Sequence, residues 1–140
     1  MSHALFQPII GKADEIMDYL MHTEEVRTYP SLGYTVRLSC EEIIVNIISY
    51  AYPPGVNGYI WLNVVVEQEM LCIEIHDGGT PFNPINREDP DIMQDLGERE
   101  IGGLGIFLVL QMMDDVEYKY EEGKNKLILK KRIENEGNNG

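Results

Sequence analysis

The chain has 140 residues, with 24 Asp and Glu against 11 Lys and Arg for a formal net charge of −13. That length suits one domain of ordinary size, and the acidity argues against a protein that grips nucleic-acid phosphates or an anionic membrane surface. A hydrophobic fraction of 44% still suffices to bury a core, while no apolar run reaches the roughly 18 residues of a membrane span.

The first eleven residues lack the basic and apolar regions of a secretory leader, so a cytoplasmic protein is expected. Ala4 to Ile9 reads as an extra edge strand. Ala13 to Thr23 sets Ile16, Met17 and Leu20 at helical spacing with Asp14, Glu15 and Asp18 opposite, which predicts an amphipathic helix. Tyr29-Pro30-Ser31 and Gly33 interrupt that pattern. A second helix is expected from about Thr35 to Tyr50, stopped by Pro53-Pro54-Gly55. Ile60, Leu62, Val64 and Val66 alternate with their neighbours, as do Leu71, Ile73 and Ile75, and the short connection from Glu67 to Met70 makes the pair a hairpin. Val116 to Tyr120 and Lys126 to Arg132 form a second hairpin around Glu121-Glu122-Gly123, with lysines and glutamates on its outer side.

The stretch from Gly78 to Glu100 is rich in Gly, Pro, Asp and Asn, a length and composition typical of a binding loop or lid. It ends in Gly102-Gly103-Leu104-Gly105, and Ile106 to Met113 reads as a buried helix. Helices and antiparallel strands that do not alternate as β-α-β predict an α+β sandwich with helices on one sheet face. The polar tail from Glu134 to Gly140 is expected to be flexible. Cys40 and Cys72 lie in apolar company outside any Cys-x-x-Cys and read as reduced.

Three constellations carry chemistry. On the second helix, Cys40, Ile43, Ile44, Ile47, Ile48 and Ala51 form an apolar stripe, while Glu42, Asn46 and Ser49 fall on another face. Glu42 and Asn46 read either as a solvated pair or as a general base beside an amide ligand for a hard cation. At the end of the second strand of the first hairpin, Asp77 keeps the phase of Leu71, Ile73 and Ile75 and points inward. It either caps its own Asp-Gly turn or accepts a hydrogen bond from an amine such as that of adenine, with Gly78 and Gly79 permitting close approach. His76 has the opposite phase. Third, Gly102 to Gly105 opens a helix and reads equally as a phosphate cradle or as a hinge beneath the loop. Rossmann and P-loop patterns do not fit its context.

Taken in order, Glu-x-x-x-Asn on a helix, Asp-x-Gly-x-Pro-Phe after a strand and a Gly-rich segment before a helix resemble the GHKL ATPase superfamily. The stretches Ser39 to Asn46, Ala51-Tyr52-Pro53, Asp77 to Phe82, Gly102 to Val109 and Lys124 to Arg132 resemble in particular the anti-sigma factor serine/threonine kinases of bacterial partner switching. The resemblance runs from about Ala4 to Ile133 and implies one ATPase domain over residues 1–133. Its fold would be a Bergerat-type α/β sandwich with a mixed, mostly antiparallel sheet and ATP held between helices and lid. By the same resemblance Glu42 matches the catalytic base, Asn46 the Mg²⁺ ligand, Asp77 the residue that binds the adenine amino group, Gly79 the glycine that lets adenine pack, and Gly103 and Gly105 the glycines beside the phosphates. The implied partners are a sigma factor and a STAS-domain antagonist, with a homodimer and no direct nucleic-acid or membrane contact.

Departures are present. Tyr50 stands where relatives often carry His, and the Gly-Thr pair of the last-strand region is replaced by Gly123-Lys124-Asn125-Lys126, with Asn125 the polar residue available to substitute. The span 84–100 holds six acids against only Arg87 and Arg99, so a bare triphosphate would be repelled and a divalent cation is required in this reading. The same acidity marks the loop as a surface for basic partners. A nucleotide-gated interaction module without transfer is the alternative. A sensor histidine-kinase, gyrase or chaperone-type arrangement is not expected, because it needs a further hairpin or domain.

Overall fold

Alternation of apolar and polar residues along the central segments builds the sheet. In the structure, a computed structural model describing residues 1–9, 11–83 and 108–133, strand β2 (Ile60–Glu67) pairs antiparallel with β3 (Met70–Asp77). They join through Gln68 and Glu69, both at positive φ (53° and 62°), the geometry that matches strand twist in a two-residue hairpin. Strand β1 (Ser2–Phe6) adds to the free side of β2. The second hairpin is β4 (Asp115–Glu121) and β5 (Lys124–Arg132), turning at Glu122 and Gly123, and β5 pairs with β3. The order is β1-β2-β3-β5-β4. Every described pairing is antiparallel, so the expected mixed sheet is wholly antiparallel among the described residues.

The helices are α1 (Ala13–Met21), α2 (Glu24–Thr28) and α3 (Gly33–Asn46), with a 3₁₀ turn at Pro30–Leu32. The pattern from Ala13 to Thr23 predicts one helix ending at Thr23 and gives no sign of α2. Thr23 is in fact its N-cap: the hydroxyl accepts from the Val26 amide at 3.4 Å and donates to the Leu20 carbonyl at 2.7 Å. Pro30 opens the 3₁₀ turn, and Gly33 begins α3 instead of breaking it. After Asn46 the helix widens into a π-helix, Ile47–Ala51.

Ile16, Met17 and Leu20 of α1 and Val36, Cys40 and Ile44 of α3 are buried in one core with Ile60, Leu62, Val64, Ile73, Ile75 and Leu129 of the sheet. The expected arrangement of helices on one sheet face is thereby met. The other face carries Trp61, Glu74, His76, Lys126 and Lys130, where Lys130 pairs with Glu117 at 2.7 Å and Lys126 with Glu121 at 2.9 Å. Helical residues 108–112 precede β4. Val109 and Met113 are buried there but Leu108 is 56% exposed, so that segment is amphipathic, not buried throughout. Cys40 and Cys72 are both free and buried. Burial pushes the Cys40 thiol up to about 12, leaving it an inert part of the core.

Candidate functional site

The core helix α3 delivers two of the predicted residues. Cys40, Ile43 and Ile44 anchor it to the sheet, which leaves Glu42 half-buried at the margin of the core. Burial, and then the charge of Glu41, push the Glu42 carboxyl above the usual glutamate range. Asn46, one turn on, is buried, and its Nδ2 finds no hydrogen-bond partner among the described residues. An unpaired buried amide is costly unless something else engages it. Ser49 does not share that setting: it lies in the π-helix, where the α-register is lost, and it is exposed. A π-turn at such a position often marks a functional site.

The second cluster is the turn that leaves β3. Asp77 is buried and directly opposite Asn125 of β5 in the strand register. Its Oδ1 accepts hydrogen bonds from the Gly79 amide at 2.8 Å and from Asn125 Nδ2 at 3.0 Å. Thus the turn-capping role and the inward orientation, alternatives at the level of sequence, coexist. Burial pushes the Asp77 carboxyl up, and the bonds from Asn125 and Gly79 offset part of that. A Cβ at Gly79 would come within 2.3 Å of the Ala51 carbonyl oxygen. The demand for glycine there arises from the turn packing onto the π-helix, where the Thr80 amide also donates to the Ala51 carbonyl at 2.8 Å. Tyr52 adds a second tie: its hydroxyl accepts from the Gly78 amide (2.7 Å) and the Tyr59 amide (3.0 Å) and donates to the Tyr59 carbonyl (2.8 Å).

Between the end of α3 and this turn lies a cavity of about 310 Å³. Ile47, Ala51, Pro81 and Phe82 give it apolar walls, while Asn46, Asp77 and Thr80 supply polar atoms and Asn125 borders it. Its size and its few convergent polar groups suit a small planar ligand with hydrogen-bonding edges. The structure therefore brings Asn46 and Asp77 to one cavity, with Gly79 hydrogen-bonded to Asp77 beside it and Glu42 one helical turn away from Asn46. Gly103, Gly105, Arg87, Arg99 and the acidic span 84–100 lie outside the described residues. His76 is on the other sheet face, its ring tilted against Trp61 with centroids 4.6 Å apart and its Nε2 2.6 Å from Glu74. Among the described residues no three His, Cys, Asp or Glu side chains cluster as a metal site. Asn125 and Tyr52 matter more here than their sequence context suggests. Asn125 shares the inward phase of Leu127 and Leu129, the same signal that singles out Asp77, whereas nothing local marks the Tyr52 hydroxyl.

A five-stranded sheet with helices on one face and a cavity at the end of the long helix is consistent with a GHKL-type fold. Solved structures of this shape include the histidine kinase domain of the Erythrobacter litoralis EL346 blue-light activated histidine kinase (TM-score 0.56, 11% identity, 86% of this chain and 59% of that one). The Acinetobacter baumannii histidine kinase AdeS is another (TM-score 0.53, 13% identity, 96% and 69%). A family model described as "Histidine kinase-like ATPase domain" matches residues 13–131, and the chain belongs to that family. Curated relatives include the serine-protein kinase RsbW of Listeria monocytogenes serovar 1/2a, 29% identical over 99 residues covering 68% of this chain and 63% of the relative. The serine/threonine-protein kinase BtrW of Bordetella bronchiseptica is 29% identical over 98 residues covering 70% and 69%. The matched region thus spans about 63% of the length of the RsbW relative. No helix among the described residues is long and apolar enough to cross a membrane.

Proposed function

We propose that this chain is an ATP-dependent serine/threonine-protein kinase acting on a STAS-type anti-sigma-factor antagonist, and that it also sequesters a sigma factor. The observation that carries the reading is the convergence of Asn46 and Asp77 on one cavity, with Glu42 one turn from Asn46. Asp77 would accept a hydrogen bond from the adenine amino group, between the apolar walls made by Ile47 and Phe82. Glu42, its pKa raised by burial, suits a base that takes the proton of an acceptor serine hydroxyl while that oxygen attacks the γ-phosphorus in line and the bond to the β-bridging oxygen breaks.

The carboxamide oxygen of Asn46 is the kind of atom that suits a hard cation, and its unpaired Nδ2 is a donor suited to an acceptor such as a phosphate or water oxygen. Mg²⁺ held there would supply neutralisation of phosphate charge. Gly103 and Gly105 are proposed to flank the phosphates. The reading includes a homodimer in the cytoplasm, without direct nucleic-acid or membrane contact.

A second reading, a nucleotide-gated interaction module without transfer, draws on one observation. Asn125 stands in the segment where a Gly-Thr pair is expected, and its hydrogen bonds go to the protein. Transfer of labelled γ-phosphate to a STAS protein, with Glu42→Gln as control, separates the two. Labelling by the wild type that is lost in Glu42→Gln supports the kinase. Labelling that survives in the variant removes Glu42 from its role, and nucleotide binding without labelling favours the module.

A further inference from the structure

Asn125 uses its whole carboxamide on the protein. Its Nδ2 donates to Asp77 Oδ1 at 3.0 Å and to the Thr80 carbonyl at 3.0 Å, with the Gly79 carbonyl further off at 3.4 Å. Its Oδ1 accepts from the Phe82 amide at 3.1 Å and from the Tyr118 hydroxyl. Two donors and two acceptor sites are all that an amide has. The orientation is also determined, because a flipped amide would set its oxygen against Asp77 Oδ1 and the Thr80 carbonyl and its NH₂ against the Phe82 amide. Asn125 is therefore no substitute ligand contact. It closes the turn from Asp77 to Phe82 against β5.

The consequence falls on Asp77. Both of its bonds, from Gly79 and from Asn125, land on Oδ1, and among the described residues Oδ2 carries none. One oxygen is committed to the fold and the other is left as an acceptor on a residue that lines the cavity. We propose that Asn125 is a specificity-positioning residue: by holding Asp77 Oδ1 it fixes Oδ2 as a lone acceptor, which selects nucleotides with a 6-amino purine over those with a 6-oxo purine. This rests on the nucleotide reading of the cavity. A carboxylate oxygen facing an amino group gains a charge-assisted hydrogen bond. Facing a carbonyl oxygen, it is left desolvated and repelled. Without Asn125, Oδ1 is held by the Gly79 amide alone, which leaves the carboxylate freer to turn and blunts that contrast.

The test is calorimetric titration of the wild type, Asn125→Ala and Asn125→Val with the Mg²⁺ complexes of ADP and IDP. Valine suits a strand and guards against a variant that does not fold. The wild type should favour ADP by roughly 100-fold or more. Both variants should lose that ratio by about tenfold, as expected for one lost hydrogen bond to a charged group. A residue that merely stabilises the fold would weaken both nucleotides alike and leave the ratio unchanged. An unchanged ratio in the variants, or a wild type that binds ADP and IDP equally, overturns the assignment of Asn125 while leaving the nucleotide reading in place. A wild type that binds neither nucleotide overturns both.

Discussion

Glu42 carries the transfer reading, and its environment has a measurable signature. Burial, reinforced by Glu41, holds its carboxyl above the usual glutamate range. A base must be ionised, so the transfer rate should rise with pH through that raised pKa and then level off. Glu42→Gln should cut the rate by about 10²–10⁴ and abolish this limb. Its ADP affinity should stay within about twofold of the wild type, since no nucleotide contact is assigned to Glu42. Asp77 is also shifted upward, mainly by burial. A carboxyl whose folded pKa lies above its unfolded one favours the fold most at low pH, and that contribution is lost as pH rises through the folded value. The ionised form of Asp77 is thus a cost to the free protein. Asp77→Asn removes the charge and can keep the acceptor for Gly79 and Asn125. It should leave the apo melting temperature unchanged or raise it by about 2–4 °C. Titration should meanwhile show nucleotide binding lost, and a variant that binds normally would contradict the role given to Asp77.

At the scale of elements, the site depends on how the turn after β3 seats on the π-helix. Gly79→Ala would drive a methyl group into the Ala51 carbonyl, a backbone neighbour that cannot swing aside. It should lower stability by about 1–3 kcal/mol in a denaturant titration and weaken nucleotide binding as the turn lifts away. A fully stable Gly79→Ala with normal affinity would mean that this seating is not what the glycine serves. Both hairpins were legible in the sequence because alternation and a two-residue turn are local signals, and Asp77 was legible because it keeps the phase of Ile75. The short helix α2 was not. Its signal is a single cap at Thr23, which the preceding amphipathic run absorbs. The π-helix was illegible for a similar reason: Ile47, Ile48 and Ala51 fit an α-helical stripe as well, and only packing against Gly79 and Thr80 shows where the register changes. Nor does the sequence by itself place Asn125 against Asp77, 48 residues away; that adjacency comes from the β3–β5 register.

For the whole molecule, the net charge of −13 acts on any anionic ligand before local contacts do. ATP would approach a chain with 24 acids, six of them within residues 84–100. Nucleotide affinity should therefore fall sharply when Mg²⁺ is chelated, and unchanged affinity in excess EDTA would count against Asn46 as a metal ligand. The order of motifs along the chain made the family legible, because Glu42, Asn46, Asp77 and Gly79 each sit on the element that the motif requires. Everything proposed for this chain depends on the cavity between α3 and the Asp77 turn holding an adenine nucleotide. Thermal unfolding with ATP and ADP, with Mg²⁺ present, tests it most directly. At ligand concentrations about 100 times Kd the fold should gain about 2.7 kcal/mol, a rise of several degrees in Tm. No shift with either nucleotide at millimolar concentration would contradict it.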